Sequence, residues 1–389
     1  MAKKSKKKMN GGLIALLAIV CLVIGLFGGA AAGVVTANEN YVIPDTVQVT
    51  TSTAGAFDVT EIKSADMSAH FLELGNKYTG DCVFIKVGET EILVDAGSRA
   101  DSVDDIYNYV SPYVDGALDY VIVTHAHQDH YAGFSTKNYG DSLFSKFENG
   151  ITTVITFPQS NQKANSTLYN NFNANLKTLE TAGTTVRKVS EFFVNKTPTF
   201  EAEYALSETV SLEFLYQKYY DEKATTENDY SVCFQIKQTV GGDTYRYLFT
   251  GDLEEGGEKS LVTENAGKLG KTRLFKAGHH GSKTSSSEAL LSVIQPDVVC
   301  ICACAGSPEY TKNNNNQFPT QAFVDRVFGY TRDIYVTSLC LDYDAGRFTS
   351  MNGNIALVAN GKDYSMKFTN STLKLEETDW FRQNRTLPA

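Results

Sequence analysis

The histidines of this 389-residue chain are few and strongly clustered, and their positions constrain the fold more than any other feature. Only six are present, and five of them directly follow short apolar segments. Three lie in the segment 124–130, after the apolar run Tyr-Val-Ile-Val, and two lie at His279 and His280. Imidazoles gain little from packing and repel one another when protonated, so this concentration at strand ends indicates a shared functional site.

The first cluster has the spacing of a binuclear metal site. The segment reads His125-Ala-His127-Gln-Asp129-His130. Neutral imidazoles and carboxylates are the usual nitrogen and oxygen ligands of zinc. We therefore predict that His125 and His127 serve one ion, and that Asp129 and His130 serve a second.

The second cluster and two acids complete the candidate ligand set. Because His279 and His280 are adjacent, they must point in different directions, so we expect one to bind metal and the other to orient the substrate or to pack. Asp252 is the last residue of Phe-Thr-Gly-Asp at the end of an apolar strand, where a carboxylate could bridge two ions. Asp95 ends a similar strand, and by itself either acid would also suit a turn or a cap.

The segment after the paired histidines is rich in hydroxyl groups. Ser282 and Lys283 precede the predicted helix Ser-Ser-Ser-Glu-Ala-Leu-Leu. A helix N-terminus with a lysine and hydroxyls would suit a substrate anion, so both residues are candidate substrate-binding groups. The alternative is a serine N-cap beside a solvated lysine.

The chain beyond residue 65 alternates short apolar strands with helices. Its strands fall into two sets with interleaved helices, which predicts two packed sheets with helices outside. We assign residues 1–37 to a membrane anchor or signal peptide, 38–65 to a polar linker, and 66–389 to the folded domain.

The N-terminus has the pattern of a membrane-targeting segment. Five lysines precede a stretch from Gly11 to Ala37 that contains no charged side chain, long enough to span a bilayer. The lysines should stay in the cytoplasm, so we expect a single-pass cell-membrane protein with its folded part outside. Cleavage after Ala37, a small-residue site, would instead give a secreted protein.

The charge of the remaining chain excludes bulk electrostatic binding to nucleic acid. Lys and Arg total 35 against 45 Asp and Glu; without the five N-terminal lysines the balance is 30 against 45, or −15. A stable complex with a polyanion is therefore not expected, and any phosphate contact must be local or metal-mediated.

Together these residues resemble the metallo-β-lactamase superfamily, over about residues 66–360. Greater similarity is to the hydrolase domain of the competence protein ComEC, through Gly80-Asp81, Asn228-Asp229-Tyr230-Ser231, Phe-Thr-Gly-Asp and Leu-Phe-Lys-Ala-Gly-His-His-Gly-Ser. The resemblance implies an α/β fold, specifically a four-layer αββα sandwich. It also implies two divalent metal ions, zinc or alternatively manganese, held by His125, His127, Asp129, His130, Asp252 and His280.

The chain departs from the family pattern at one ligand. No histidine lies between His130 and His279, so the third-motif histidine of many family members is missing. Asn228 occupies that region. The first metal site would then hold only His125, His127 and Asp252, with water or Asn228 completing it; otherwise Asn228, like Asp95, would support the ligands. In this reading Asp129 or Asp252 accepts a proton or orients the nucleophile, and His279, if it is not the ligand, donates a hydrogen bond to the substrate oxyanion.

The expected function is an extracytoplasmic metal-dependent hydrolase, and phosphodiester bonds are the expected target. Small or polymeric phosphodiesters are the expected substrates. The alternatives are a β-lactamase- or lactonase-type hydrolase, a choline-phosphate esterase-type hydrolase, and a non-catalytic surface protein on the same fold.

Overall fold

The structure, a computed structural model, describes residues 51–147 and 150–388. The predicted membrane segment, 1–37, lies outside these residues, as do residues 38–50 of the predicted linker. Within the described ranges, no helix is both long and apolar enough to cross a bilayer. The topology of the N-terminus thus stays a prediction from the sequence.

The described residues form two large sheets and a small hairpin. The strands, in chain order, are β1 (Thr51–Ala54), β2 (Met67–Phe71), β3 (Val83–Val87), β4 (Thr90–Val94), β5 (Ala117–Val123), β6 (Gly150–Thr156), β7 (Thr185–Lys188), β8 (Phe193–Val194), β9 (Thr197–Pro198), β10 (Glu203–Ala205), β11 (Val210–Leu215), β12 (Cys233–Val240), β13 (Asp243–Phe249), β14 (Leu274–Lys276), β15 (Val298–Ala305), β16 (Ile334–Asp342), β17 (Arg347–Ser350), β18 (Ile355–Asn360) and β19 (Asp363–Phe368). The first sheet has the order β1-β19-β18-β2-β3-β4-β5-β6-β7, and the second runs in sequence from β10 to β17. Strands β8 and β9 pair only with each other.

Helices connect the strands and cover the sheets. The α-helices of the described residues are α1 (Val59–Ser64), α2 (Ser102–Val110), α3 (Gln128–Tyr131), α4 (Thr167–Thr181), α5 (Glu255–Glu264), α6 (Glu288–Ile294), α7 (Gln321–Val327) and α8 (Asp379–Asn384). Short 3-10 turns fill many of the remaining connections.

The two sheets pack face to face, as the alternation along β15 illustrates. Cys300 and Cys302 belong to the core that includes the first sheet, whereas Val299 and Ile301 belong to the core formed with helices α5 to α8. Successive side chains of a strand point to opposite faces, so β15 is buried on both sides. With α2 and α4 packed on the first sheet, the layers follow the predicted order of helix, sheet, sheet, helix.

Parallel strands in both sheets bring the candidate ligands to one edge. Strands β4 to β7 are parallel neighbours in the first sheet, and β13 to β16 are parallel neighbours in the second. In such sheets, loops after the carboxyl ends of the strands form the functional crevice. Both histidine clusters, Asp95 and Asp252 lie in loops of this kind.

The boundary of the predicted linker is corrected by the structure. Residues 51–54 pair in parallel with β19 at the sheet edge, and α1 follows. Asp58 caps this helix by accepting from the backbone N–H groups of Thr60 and Glu61, and Ile62 is buried beneath it. The polar composition of this segment did not indicate the helix cap or the apolar residues that pack on the core, so the folded domain begins before residue 66.

His70 is a core residue of β2, and its environment makes stability dependent on pH. Its Nδ1 lies 2.7 Å from the Tyr109 hydroxyl and its Nε2 lies 2.8 Å from the Ser68 hydroxyl. Burial lowers the pKa of His70 from 6.5 to about 3. The unfolded state therefore binds more protons than the folded state between these pH values, and folding stability falls as the pH drops below about 6.5.

We predict that the unfolding free energy of His70→Gln falls less steeply than that of the wild type as the pH drops below about 6.5. The wild type should lose up to about 1.4 kcal/mol of unfolding free energy per pH unit from this group below pH 6.5. The check is denaturant unfolding of both proteins at pH 7, 6 and 5. Parallel profiles for the two proteins would show that His70 does not remain neutral in the fold.

Candidate metal centre

Four histidine rings surround one carboxylate oxygen, Oδ2 of Asp252, at the centre of the candidate site. Four imidazole Nε2 atoms lie within 3.9 Å of Oδ2 of Asp252. They belong to His130 (3.1 Å), His280 (3.4 Å), His279 (3.8 Å) and His125 (3.9 Å). Burial opposes ionisation of Asp252, but the surrounding imidazoles hold the pKa of its carboxyl well below the usual range. The structure thus joins the two histidine clusters through the acid that the sequence singled out.

The turn that presents Asp252 requires a glycine. The backbone N–H of Asp252 donates to the Ser231 hydroxyl over 3.0 Å. Gly251 has a φ of +54°, and a Cβ at this position would stand 2.8 Å from the same hydroxyl oxygen and 3.1 Å from Cβ of Thr124. A larger residue would push the Asp252 turn away from the first histidine loop.

Asp95 fixes the orientation of His130. Its two oxygens accept from the backbone N–H and the hydroxyl of Thr124, at 2.8 and 2.7 Å. Oδ2 also lies 2.7 Å from Nδ1 of His130, so Nε2 of that ring faces Asp252. Burial raises the pKa of Asp95, and His130 opposes this rise. Asp95 is therefore in the position predicted for a residue that supports a ligand.

The two adjacent histidines have different environments. His280 is fully buried, and its Nδ1 donates to the carbonyl of Cys302 over 2.8 Å. Its Nε2 has no hydrogen-bond partner and lies 3.4 Å from Oδ2 of Asp129. His279 is one-fifth exposed, and its Nδ1 contacts the Thr284 hydroxyl at 3.1 Å. The unpartnered Nε2 of His280 makes it the better ligand of the pair, and His279 is left facing the open side.

The two remaining histidines of the first cluster, His125 and His127, lie against each other beside Asp252. Nε2 of the buried His125 is 3.1 Å from Nδ1 of His127, which is half-buried. The side-chain amide of Asn228 donates to Glu254 over 3.0 Å and lies 3.4 Å from Nδ1 of His279. Its buried Oδ1 has no partner. Asn228 therefore contacts the candidate substrate-facing histidine, in the region of the missing third-motif histidine.

Two further charged residues belong to the site and were not predicted as site residues. Asp81 is buried with its oxygens 3.2 Å from Nδ1 of His280 and 3.6 Å from Nδ1 of His130. Nζ of the buried Lys276 is 2.5 Å from Asp81 and 3.9 Å from Asp252. The available signals were the Gly-Asp pair before β3 and a lysine that ends the otherwise apolar strand β14.

The charge of this cluster suits divalent cations. Four buried carboxylates, against the single ammonium of Lys276, leave three negative charges without compensation if the imidazoles are neutral. The carboxylates are those of Asp81, Asp95, Asp129 and Asp252. Burying such charge is costly unless a cation neutralises it. The same carboxylates raise the pKa of His130 and of His280 despite burial. They therefore stabilise positive charge at the positions of these two rings.

The geometry of the donors also fits a metal ion. Ligand atoms of Asp81, His130, Asp252 and His280 all lie within 4.8 Å of one another and are buried. Nε2 of His280 and Oδ1 of Asp252 have no hydrogen-bond partner, as expected for atoms that bind an ion. Both oxygens of Asp81 also lack a hydrogen-bond partner, so Asp81 is a further candidate ligand beside its ion pair with Lys276.

The predicted anion site at Ser282 and Lys283 has a different environment from the one expected. The backbone N–H groups of Ser286 and Ser287, at the start of α6, donate to the buried Glu258 over 2.6 and 2.7 Å. The Ser282 hydroxyl lies 3.1 Å from that of Thr284, and Lys283 is exposed. These amides are therefore not available to a substrate, and substrate binding by Ser282 or Lys283 would depend on their own side chains.

Comparisons with known proteins find sequence similarity over part of the chain. The model of the metallo-beta-lactamase superfamily matches residues 75–135. Recombination protein 2 of Haemophilus influenzae is 36% identical over 92 residues, which are 24% of this chain and 10% of that protein. Competence protein ComA of Neisseria gonorrhoeae is 35% identical over 102 residues, 26% of this chain and 14% of that protein. The aligned segment is thus a small part of these relatives, and the family match over residues 75–135 confirms the resemblance to the metallo-β-lactamase superfamily.

Solved structures with some likeness are distant. A long form RNase Z from yeast is 12% identical with a TM-score of 0.39, and the match covers 74% of this chain and 39% of that one. CmlA, a diiron beta-hydroxylase from Streptomyces venezuelae, is 11% identical with a TM-score of 0.34 over 63% of this chain and 46% of that one.

We predict that Asp95→Asn weakens metal binding without unfolding the chain. Asp95 has a φ of +60°, a conformation that asparagine also tolerates, so the backbone should be preserved. The loss of the charge that orients His130 should lower zinc or manganese affinity by about 10- to 100-fold.

The measurement is calorimetric titration of the metal-free proteins. Asp141→Asn, which changes an exposed carboxylate, is the matched control. Equal affinities for the wild type and Asp95→Asn would rule out the role assigned to Asp95.

Proposed function

We propose that this chain of the metallo-β-lactamase superfamily is a metal-dependent hydrolase of phosphodiester bonds that acts outside the cytoplasm. The observation that carries the proposal is the buried excess of carboxylate charge around Asp252. Two divalent cations would change three uncompensated negative charges into one net positive charge. A site with this balance attracts a monoanion, and a phosphodiester is a monoanion at neutral pH.

We assign the side chains to two ligand groups that share Asp252. His125 and His127 would hold one ion, and Asp129, His130 and His280 the other, with Asp252 shared. When bound, such a pair of cations supplies Lewis-acid activation of water and of a substrate oxygen. Zinc suits these nitrogen and oxygen donors, and manganese would suit the carboxylates.

Asp129 is the candidate proton acceptor. Its Oδ2 lies 3.4 Å from Nε2 of His280, and the residue is almost fully buried at the edge of the site. Burial opposes its ionisation, but His280 and His130 keep the pKa of its carboxyl below the usual range, so it is present as a carboxylate. A carboxylate here can orient a water molecule and accept a hydrogen bond from it.

His279 is the candidate substrate contact. Thr284 and Asn228 lie against its Nδ1, and its Nε2 points toward Asp252 at 3.8 Å. Because its ring is partly exposed whereas that of His280 is buried, His279 can donate a hydrogen bond to an oxygen of the substrate.

The charge of the chain favours a small substrate, and its N-terminal segment favours a location at the membrane. The −15 charge beyond the N-terminal lysines disfavours long polynucleotides, so a short diester or a choline-phosphate group is the proposed target. The lysine cluster and the apolar stretch up to Ala37 support a membrane-attached protein with the hydrolase domain outside.

The test is hydrolysis of bis(p-nitrophenyl) phosphate by the purified full-length chain loaded with zinc or manganese. We expect turnover that a chelator abolishes and that falls by at least about 100-fold in His127→Ala, because one ligand group is broken. Gln128→Ala is the matched control, since Gln128 is exposed in the same loop between His127 and Asp129.

Each outcome bears on a different part of the proposal. Turnover that survives the chelator would contradict a metal-dependent mechanism. If the diester is stable but a β-lactam or a lactone is hydrolysed, the fold carries a hydrolase of another bond. If no substrate reacts while both ions bind, the chain is a binding protein on this fold.

A further inference from the structure

We infer that Tyr310 is a catalytic residue whose hydroxyl contacts the substrate in this site. The inference rests on the proposed function, because it assigns a group that would bind the phosphoryl oxygen. Tyr310 lies in the loop after β15, and nothing in its sequence context marks it as functional.

The position of its hydroxyl is the first observation. Tyr310 is 54% exposed as a residue, yet its hydroxyl donates to Oδ2 of Asp129 over 2.6 Å. An exposed tyrosine ordinarily keeps its polar end in water. Here the ring is left at the surface while the hydroxyl reaches the same oxygen that faces His280, so the phenol lies at the entrance of the metal centre.

The second observation is an aromatic wall over the paired histidines. The ring of Tyr310 is 5.6 Å from that of Phe318, centroid to centroid. Phe318 in turn lies 5.5 Å from the ring of His279 and 5.7 Å from that of His280. Tyr310 and Phe318 therefore line one side of the site, and the only hydroxyl of this wall is directed at Asp129.

The loop that carries Tyr310 is fixed at both ends. The N–H of Gly306 donates to the carbonyl of Phe318 over 2.8 Å, closing the base of the loop. Glu309, the neighbour of Tyr310, accepts from the backbone N–H of Thr79 and from Arg99, both at 3.0 Å. A group held in this way is preorganised, which is the requirement for stabilising charge on a reacting oxygen.

The chemistry of the phenol fits the substrate proposed for the site. A tyrosine hydroxyl is a neutral donor at neutral pH and adds no charge that would repel an anion. Hydrogen bonds to a charged acceptor are roughly twice as strong as those between neutral groups. A phosphoryl oxygen that enters beside Asp129 and His279 would lie near this hydroxyl; with the ring held in place, only the O–H bond would rotate from the carboxylate to the substrate.

The competing explanation is that Tyr310 only positions Asp129. In that case its removal would disturb a metal ligand and would appear as a change in metal binding. A direct contact would leave metal binding unchanged and would weaken the binding of an oxyanion. Inorganic phosphate is a suitable probe, because its affinity can be measured whether or not the chain turns over a diester.

The experiment compares Tyr310→Phe with Tyr330→Phe in the metal-loaded, full-length chain. The hydroxyl of Tyr330 also donates to a carboxylate, that of Glu288, which makes it a matched control outside the site. We expect Tyr310→Phe to keep the wild-type metal content, to bind phosphate about 10-fold more weakly, and to lower kcat for the diester by about 10- to 100-fold. The control should match the wild type in all three measurements.

The failures of the two proposals are distinguishable. Unchanged phosphate affinity and kcat in Tyr310→Phe, with an active wild type, would overturn the role of Tyr310 and leave the hydrolase proposal intact. A loss of metal in Tyr310→Phe would overturn it in favour of a positioning role. A wild type that binds phosphate through Tyr310 but cleaves no diester would contradict only the proposed reaction, and a metal-loaded wild type that does not bind phosphate would contradict the substrate contact.

Discussion

The convergence of imidazoles on Oδ2 of Asp252 is the interaction on which the rest of the structure depends. It requires the loops after β5, β13 and β14 to meet, and therefore requires the parallel strands of both sheets to end at one edge. It also concentrates negative charge where little water can solvate it. Asp81 and Lys276 form a buried ion pair beneath this point, and Asp95 fixes His130 beside it. The fold therefore buries uncompensated negative charge that a pair of divalent cations would neutralise.

The backbone is strained where the site is assembled. Asp95, His279 and His280 all have positive φ values of 49° to 60°, although none is glycine. Such residues cost about 1–3 kcal/mol each and persist where surrounding contacts fix them. Hydrogen bonds of Asp95 to Thr124 and of His280 to Cys302 are contacts of this kind. In this turn the ring planes of the paired histidines are inclined by 67° to each other. The ring of His280 lies in the buried cluster, and the ring of His279 is partly exposed.

Much of the fold was predictable because its strands are short, apolar and separated by clear turn signals. The histidine loops, Asp252 and Asp95 were also predictable, since polar ligands at the ends of apolar strands have few structural explanations. Other features depend on contacts between distant segments. The pairing of β1 with β19 joins residues more than 300 positions apart, and Tyr310 reaches Asp129 from the end of a different sheet. Likewise, Glu258 of α5 accepts hydrogen bonds from the backbone N–H groups at the start of α6. The segment around Ser282 and Lys283 alone therefore could not show that these N–H groups are unavailable to an anion.

The number of ions bound per chain tests the central claim most directly. The measurement is elemental analysis, with calorimetric titration, of the wild type and Asp252→Asn after removal of metal and readdition of zinc or manganese. We expect two equivalents in the wild type, and loss of at least one in Asp252→Asn with the fold retained by circular dichroism. A wild type that binds no divalent cation, or an Asp252→Asn protein that retains both with unchanged affinity, would contradict a metal centre organised around this carboxylate.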